Sequence, residues 1–289
     1  MAAMTVQERV VPLAWPGRDD GFGLLSEPLG APSPWGVLVL VGGPQTRVGA
    51  HRHFVTLARQ LAAAGVPTLR FDHRGLGDCG GPLQPFQALD DDVDAGIDAL
   101  TRAVPSLQGV VLWGLCDAAS AALLYTARRA DPRVRALALL NPWVRSPQGE
   151  AQTRLRHYYG ERLRSPAFWR KLLRGGVGLR AALDWWRVRQ QAREARSAAP
   201  APRIEPFQAT MARAWMGGFD GPILLQLSGR DHTAREFENV HAVFPAWAGW
   251  RERPRLTVQP YDEADHTFSQ RRWQDASTQA LIGWLRSLA

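Results

Sequence analysis

The amino-acid sequence predicts an α/β protein with a mostly parallel, doubly wound sheet, and three observations predict it. Apolar runs of strand length alternate with amphipathic helical patterns, as expected for parallel strands joined by crossover helices. The first helical pattern stops at Gly65, and glycine commonly ends a helix. Polar residues with catalytic potential directly follow several predicted strands, and open α/β sheets bind ligands at the carboxyl ends of their strands.

The individual elements follow from local patterns taken in chain order. Two opening strands are expected to pair antiparallel, and the later strands to be joined by helices. The second helix begins with Asp90, Asp91 and Asp92, which the helix dipole favours near an N-terminus. Strands are predicted at residues 10–15, 22–27, 37–41, 68–72, 110–113, 134–140, 223–227 and 255–259, and helices at 50–64, 89–103, 116–130, 235–244 and 273–288.

The alternation of strands and helices lapses in one long stretch, which indicates an insertion. No strand-like run occurs there, tryptophans lie among many arginines, and a Pro/Ala spacer at 198–202 divides it. We predict a helical cap over residues 143–217, inserted into a core made of residues 1–142 and 218–289. The basic and aromatic stretch at 169–174 has the composition of a peripheral membrane contact, although a helix packed over the active site explains it equally well.

Composition narrows the class of protein. The chain of 289 residues can bury a core without disulfides, and its two cysteines show neither a disulfide framework nor metal-ligand spacing. No apolar run reaches the roughly 18–20 residues of a membrane span, and the N-terminus lacks signal-peptide features, so we expect a cytoplasmic location. The net charge of +8 is not organised into a nucleic-acid-binding module, so we expect no nucleic-acid partner. We expect no metal or organic cofactor.

Cys116 is the candidate nucleophile. It lies between a predicted strand and a predicted helix, with Gly114 and Ala118 as small flanking residues. This is the context of the nucleophile elbow, whose usual form is Gly-x-Ser-x-Gly. A helix N-terminus stabilises a thiolate, whereas the charge of Asp117 opposes it. A lone cysteine is more often an inert buried residue, and the elbow context reverses that expectation.

Asp231 and His266 are the candidate partners of Cys116. Asp231 follows the strand at 223–227, and His266 lies in the loop between the last strand and the last helix. Such a carboxylate can orient an imidazole that acts as general base and acid. The chain order nucleophile, acid, base matches that of enzymes with this elbow. The alternatives are a helix-capping or turn aspartate and an ordinary loop histidine.

The oxyanion hole is expected to use one backbone N–H from Asp117 and one from the loop after the strand at 37–41. Pro44 in that loop has no N–H, so we favour Gln45, with Gly43 as the alternative. A simple glycine turn would also explain this loop. For the substrate pocket the candidates are Trp143, Trp185 and His51, and His51 could equally be a surface residue.

Several segments together resemble a known family. Residues 72–77 resemble the Asp-x-Arg-Gly-x-Gly segment common in α/β-hydrolases, and we interpret residues 71–78 as structural support beside the site. The segments at 42–45, 114–120, 228–231 and 265–269 are similar to those of exosortase A system-associated hydrolases of the hydrolase 1 type. These are bacterial proteins encoded near exopolysaccharide and exosortase genes. The resemblance implies an α/β-hydrolase fold, and it places Cys116, Asp231 and His266 at the triad positions.

The chain departs from the general pattern of the α/β-hydrolase fold in two ways. Cysteine replaces the usual serine, as in dienelactone hydrolases, and Ala118 replaces glycine. Because a thiolate is a good leaving group, an amide's poorer leaving group would let the tetrahedral intermediate return to reactants. We therefore expect cleavage of a small acyl ester or acyl thioester, either free or carrier-bound, through an acyl-enzyme. The alternatives are an acyltransferase on the same triad and a non-catalytic scaffold that binds a ligand or partner.

Overall fold

One eight-stranded sheet positions the loops of interest in the structure, a computed structural model that describes residues 6–15, 18–145 and 206–288. The strands are β1 (Val6–Trp15), β2 (Arg18–Pro28), β3 (Trp35–Leu40), β4 (Thr68–Phe71), β5 (Gly109–Leu115), β6 (Val134–Leu140), β7 (Ile223–Ser228) and β8 (Leu256–Tyr261). The α-helices in the same ranges are α1 (His53–Ala63), α2 (Asp90–Ala103), α3 (Asp117–Arg129), α4 (Pro206–Arg213), α5 (His232–Glu238), α6 (Val240–Val243) and α7 (Arg271–Arg286).

The strand order is β1-β2-β4-β3-β5-β6-β7-β8. The two opening strands pair antiparallel with each other, and β2 pairs antiparallel with β4. The remaining neighbours, from β4 through β8, pair parallel. The predicted fold class is therefore confirmed. Because the carboxyl ends of β3, β5, β6, β7 and β8 share one edge of the sheet, loops from distant parts of the sequence meet there.

Both faces of the sheet are covered, and alternate residues of each strand serve the two faces. Leu38 and Leu112 lie in one buried apolar cluster, which also contains residues of α2 and α3. Val37 and Val111 lie in a second cluster, together with residues of α1 and α7. Strand β5 is buried along its whole length, as expected for a parallel strand with helices on both faces.

The five predicted helices begin one to three residues away from their predicted starts, and two of these shifts have a clear local cause. Helix α3 begins at Asp117 because Cys116 has a positive φ of 63°, which is outside the helical region. Helix α5 begins at His232, three positions before the predicted start, because the Asp231 carboxylate accepts hydrogen bonds from the backbone of Thr233 and Ala234. This is an N-cap, which satisfies amides that have no partner inside the helix.

Most of the predicted cap, residues 146–205, lies outside the described residues, so the cap stays a prediction. Its last part is described and packs on the core. Met211 and Trp215 are fully buried, and the ring centroids of Trp215 and Phe237 lie 5.3 Å apart. The indole N–H of Trp215 donates to the Trp250 carbonyl at 2.9 Å. Among the helices that the structure describes, none combines the length and the apolar character that a membrane crossing requires.

The contact between β5 and α3 generates a stability prediction. A Cβ on Gly114 would lie 2.5 Å from the backbone carbon of Ala118, so the helix would have to move. We expect Gly114→Ala to lower the free energy of unfolding by about 1–3 kcal/mol, the usual cost of overpacking, measured by urea denaturation.

Gly283→Ala is the matched control. Gly283 is an exposed glycine inside α7, and an added Cβ would meet no atom within 4 Å. We expect this substitution to raise the free energy of unfolding by about 0.5–1 kcal/mol, because alanine is the better helix former. Equal stability of Gly114→Ala and wild type would contradict the inferred close contact.

Candidate active site

Cys116 lies at a sharp turn between β5 and α3. Its backbone has φ 63° and ψ −123°, a conformation that non-glycine residues rarely adopt. The turn is held from both sides: the Cys116 N–H donates to the Leu140 carbonyl at 2.9 Å, and its carbonyl accepts from the Ala119 N–H at 3.1 Å. The side chain stays partly exposed. The strand, strained turn and helix together form the geometry expected of a nucleophile elbow.

Asp231 and His266 are in direct contact. His266 Nδ1 lies 2.8 Å from Asp231 Oδ2, although the residues are 35 positions apart in the chain. Asp231 is only 6% exposed and also caps α5, with the Thr233 and Ala234 amides at 3.1 Å from its two oxygens. The sequence offered two alternative roles for Asp231, capping a helix and orienting an imidazole. In the structure Asp231 has both contacts at once. Those two amides fix the orientation of its carboxylate.

The electrostatic environment of His266 favours its charged form. The hydrogen bond with Asp231 is the largest cause, a hydrogen bond with the Cys116 thiol is the second, and together they outweigh burial and raise the pKa of His266 to about 10. Because Nδ1 is held by Asp231, we infer that Nε2 faces the thiol. The structure therefore brings the three predicted residues into one chain of contacts.

Asn141 is a site residue that sequence reasoning missed. It follows β6, is fully buried and has a positive φ of 45°. Its amide donates to Ser228 Oγ at 2.9 Å and to the His266 carbonyl at 3.2 Å, and its side-chain oxygen accepts from the Ser228 N–H at 2.9 Å. Ser228 Oγ in turn donates to the Asp265 carbonyl at 3.0 Å. Asn141 thereby joins the end of β7 to the loop that carries His266.

The two candidates for the second oxyanion donor differ in where their N–H groups point. The Gln45 N–H donates within its own turn to the Gly42 carbonyl at 3.4 Å, and the Gln45 side chain accepts from the Ala50 N–H at 3.0 Å. The Gly43 N–H instead faces α3 and donates to an Asp117 carboxylate oxygen at 2.8 Å. The geometry therefore favours Gly43, the alternative, over Gln45, because only the Gly43 amide faces the start of α3.

The predicted pocket residues have different surroundings. Trp143 is half-buried beside the elbow. Its backbone N–H donates to the Cys116 carbonyl at 3.2 Å, and Ser120 Oγ donates to the Trp143 carbonyl at 2.6 Å. The Arg145 guanidinium lies 4.4 Å from the Trp143 ring centroid. His51 is exposed just before α1, with a positive φ of 53°. Trp185 lies outside the described residues.

The segment after β4 forms an ionic network beside the site. The buried Asp72 accepts from the Arg47 N–H at 2.6 Å and also pairs with the Arg47 guanidinium. Arg74 binds the buried Asp92 through its backbone N–H at 2.9 Å and through its side chain at 2.8 Å. These contacts tie the loop after β3 to the core, as expected of structural support. Within the described ranges, no three His, Cys, Asp or Glu side chains are grouped as metal ligands.

Comparisons with known proteins identify relatives of this architecture. A family model described as serine aminopeptidase S33 matches residues 32–203. The esterase Pf2001 of Pyrococcus furiosus is 15% identical with a TM-score of 0.61, over 97% of this chain and 92% of that one. The haloalkane dehalogenase DatA of Agrobacterium tumefaciens is 20% identical with a TM-score of 0.56, over 98% and 97%.

A thermophilic esterase of Thermogutta terrifontis is 18% identical with a TM-score of 0.54, over 97% of each chain. A search of curated proteins found no match. At these identities, the likeness to the solved structures supports the fold and leaves the substrate open.

The raised pKa of His266 predicts a pH-dependent contribution to stability. Because the pKa of about 10 in the folded protein exceeds the ordinary histidine pKa of 6.5, His266 should stabilise the protein fully below pH 6.5. That contribution should then be lost as pH rises toward 10. We expect the difference in the free energy of unfolding between wild type and His266→Gln to shrink over this range, measured by urea denaturation at several pH values.

Asp231→Asn is the control for the cause of that effect. It removes the carboxylate whose hydrogen bond contributes most to the raised pKa of His266. In the Asp231→Asn background, the contribution of His266 to the pH dependence of the free energy of unfolding should be markedly smaller. If the difference in the free energy of unfolding between wild type and His266→Gln stays constant or grows from pH 6.5 to 10, the imidazole is not held in its charged form.

Proposed function

The chain belongs to the α/β-hydrolase family described as serine aminopeptidase S33, and from that premise we propose that it hydrolyses an ester or thioester through an acyl-enzyme on Cys116. The observation that carries the proposal is the contact of 2.8 Å between His266 and Asp231, combined with the influence of the Cys116 thiol, which helps to raise the pKa of His266. A thiol, an imidazole and a carboxylate in this order are the parts of a nucleophilic triad.

The first half of the reaction forms the acyl-enzyme. His266 takes the thiol proton, and its imidazolium, stabilised by Asp231, stabilises the thiolate beside it. The sulfur attacks the carbonyl carbon, and the negative oxygen is held by the backbone N–H groups of Asp117 and Gly43. The bond to the leaving alcohol or thiol then breaks, and the leaving group takes the proton from His266.

The second half regenerates the thiol. His266, now neutral, removes a proton from water, and the resulting hydroxide attacks the thioester carbonyl. The carbon–sulfur bond breaks, the carboxylic acid leaves, and His266 returns its proton to the sulfur. Cysteine in place of the serine usual for this family directs the enzyme toward activated acyl groups, because a thiolate leaves more readily than an amine. Esters and thioesters are therefore favoured over amides.

The nucleophile is tested by mass spectrometry and by turnover of p-nitrophenyl butyrate. We expect wild type to release p-nitrophenol and to carry a butyryl adduct during turnover. Cys116→Ala should lack the adduct, and its kcat/KM should fall by about 1,000-fold or more, since residues of a triad act as a unit. Equal turnover by wild type and Cys116→Ala would rule out the covalent mechanism.

Cys79→Ala is the matched control, because Cys79 is the second thiol of the chain and is buried at 7% exposure. This variant should keep both adduct and turnover. Adding methanol or N-acetylcysteamine to the same assay separates hydrolysis from acyl transfer. An acyl-enzyme that persists in water and discharges only to the added acceptor would identify an acyltransferase on the same triad.

On the resemblance of the sequence motifs alone, we also propose a link to bacterial exopolysaccharide and exosortase systems. The acyl group would then be presented on a small molecule or on a carrier, in the cytoplasm, with the region 169–174 as a candidate peripheral membrane contact. Deleting the gene in an exopolysaccharide-producing host tests this link. Unchanged exopolysaccharide and unchanged processing of exosortase substrates would contradict it.

A further inference from the structure

The side chain of Asp117 is hydrogen-bonded to the backbone amides from which an oxyanion hole is built. The Gly43 N–H donates to Asp117 Oδ2 at 2.8 Å, and the Ala118 N–H donates to Oδ1 at 3.0 Å. The Asp117 N–H also interacts with this carboxylate and acts to lower its pKa. The amides of Gly43 and Asp117 are the pair that would stabilise a tetrahedral intermediate on this fold.

The protein provides room for the carboxylate at this position. A Cβ on Gly42 would lie only 2.0 Å from Asp117 Oδ1, so the side chain fits because Gly42 has none. The carboxyl group is half-buried, and burial is the largest cause of its raised pKa, while its interactions with the Gly43, Ala118 and Asp117 amides and with His73 act in the opposite direction. His73, in the segment after β4, is itself buried at 5% exposure. The side chain therefore fills a fitted, partly enclosed position.

We propose that Asp117 is an internal ligand of the oxyanion hole, which the carbonyl oxygen of a substrate displaces before Cys116 attacks. This inference rests on the proposed function. The carboxylate and the oxyanion are both negatively charged and use the same N–H donors, so they cannot occupy the hole together. Hydrogen bonds to a charged acceptor are roughly twice as strong as neutral ones, so the displacement slows the reaction.

The same geometry identifies a class of external ligand. Donors that bind the Asp117 carboxylate are suited to other small carboxylates, including the acid that hydrolysis releases. With Asp117 in place, such acids have to compete with a tethered carboxylate, which is at high effective concentration. Asp117 therefore protects the wild-type enzyme against inhibition by short carboxylic acids, and its removal exposes the hole to them.

Kinetics of three variants test the displacement. We expect Asp117→Ala, which keeps the backbone N–H, to raise kcat/KM for p-nitrophenyl butyrate about tenfold, because no side chain has to leave. Asp117→Asn keeps a side-chain oxygen that can accept from the Gly43 amide but removes the negative charge. We expect a smaller rise in kcat/KM for this variant. Asp262→Ala removes an exposed carboxylate from the loop that precedes His266 and should leave kcat/KM unchanged.

The opposite order of activities would overturn the inference. If the carboxylate is only a clamp on the loop after β3, Asp117→Ala should lose activity, and Asp117→Asn should keep most of it. Inhibition by butyrate provides a second kinetic criterion. It should be competitive and at least about tenfold stronger for Asp117→Ala than for wild type, and equal inhibition of the two would also overturn the inference.

A measurement that needs no turnover uses the Gly43 amide proton in a ¹⁵N-labelled protein. In Asp117→Ala we expect this proton to move upfield, and to return downfield saturably on addition of sodium butyrate. Wild type should not respond to butyrate at the same concentrations. The inference is overturned if Asp117→Ala leaves the Gly43 resonance unchanged, or if butyrate does not move it in that variant.

The two proposals fail in distinguishable ways. Turnover that is equal in Cys116→Ala and wild type, or absent from all variants, contradicts the covalent mechanism on Cys116. The Gly43 amide titration still decides the inference in either case, because it reports occupancy of the hole and does not involve the thiol. A Gly43 amide that ignores butyrate while Cys116 carries the butyryl adduct would preserve the function and overturn the inference.

Discussion

The strained turn at Cys116 is the constraint on which the site depends. A positive φ at a residue with a side chain is unfavourable and persists only where the surroundings stabilise it. Here β6 accepts a hydrogen bond from the Cys116 N–H, and Ala119 and Trp143 donate to its carbonyl. This conformation also requires α3 to approach β5 closely, which is possible because Gly114 has no side chain. The positions of β5, of α3 and of the candidate nucleophile therefore depend on one local conformation.

A second constraint holds the acid and base loops against that turn. The two carboxylate oxygens of Asp231 accept hydrogen bonds from the Thr233 and Ala234 amides at the start of α5. Oδ2 also contacts His266 Nδ1. Asn141 connects the end of β7 to the His266 loop. Because Asp231 and Asn141 are buried and each has several partners, the Asp231 carboxylate and the His266 loop have little freedom to move. Preorganisation of this kind would let Asp231 stabilise a positive charge on His266 without first rearranging.

The sequence predicted the sheet, most helix positions and the three candidate triad residues, because each depends on local pattern: apolar periodicity, small residues around Cys116, and polar residues after strands. Asn141 could not be found this way. Its partners, Ser228 and His266, lie 87 and 125 positions away, and an asparagine after a strand usually indicates only a turn. The choice between Gly43 and Gln45 also depended on the direction of an N–H group, which composition does not encode.

The two points where the chain leaves and rejoins the described core are both firmly attached. On leaving, Trp143 is bonded to the nucleophile turn and to Ser120. On returning, Trp215 is buried against Phe237, Trp247 and Trp250. Both attachments lie outside residues 146–205. Exchanging those residues for the corresponding stretch of another hydrolase would leave both attachments unchanged, so such chimaeras would show whether the predicted cap determines selectivity.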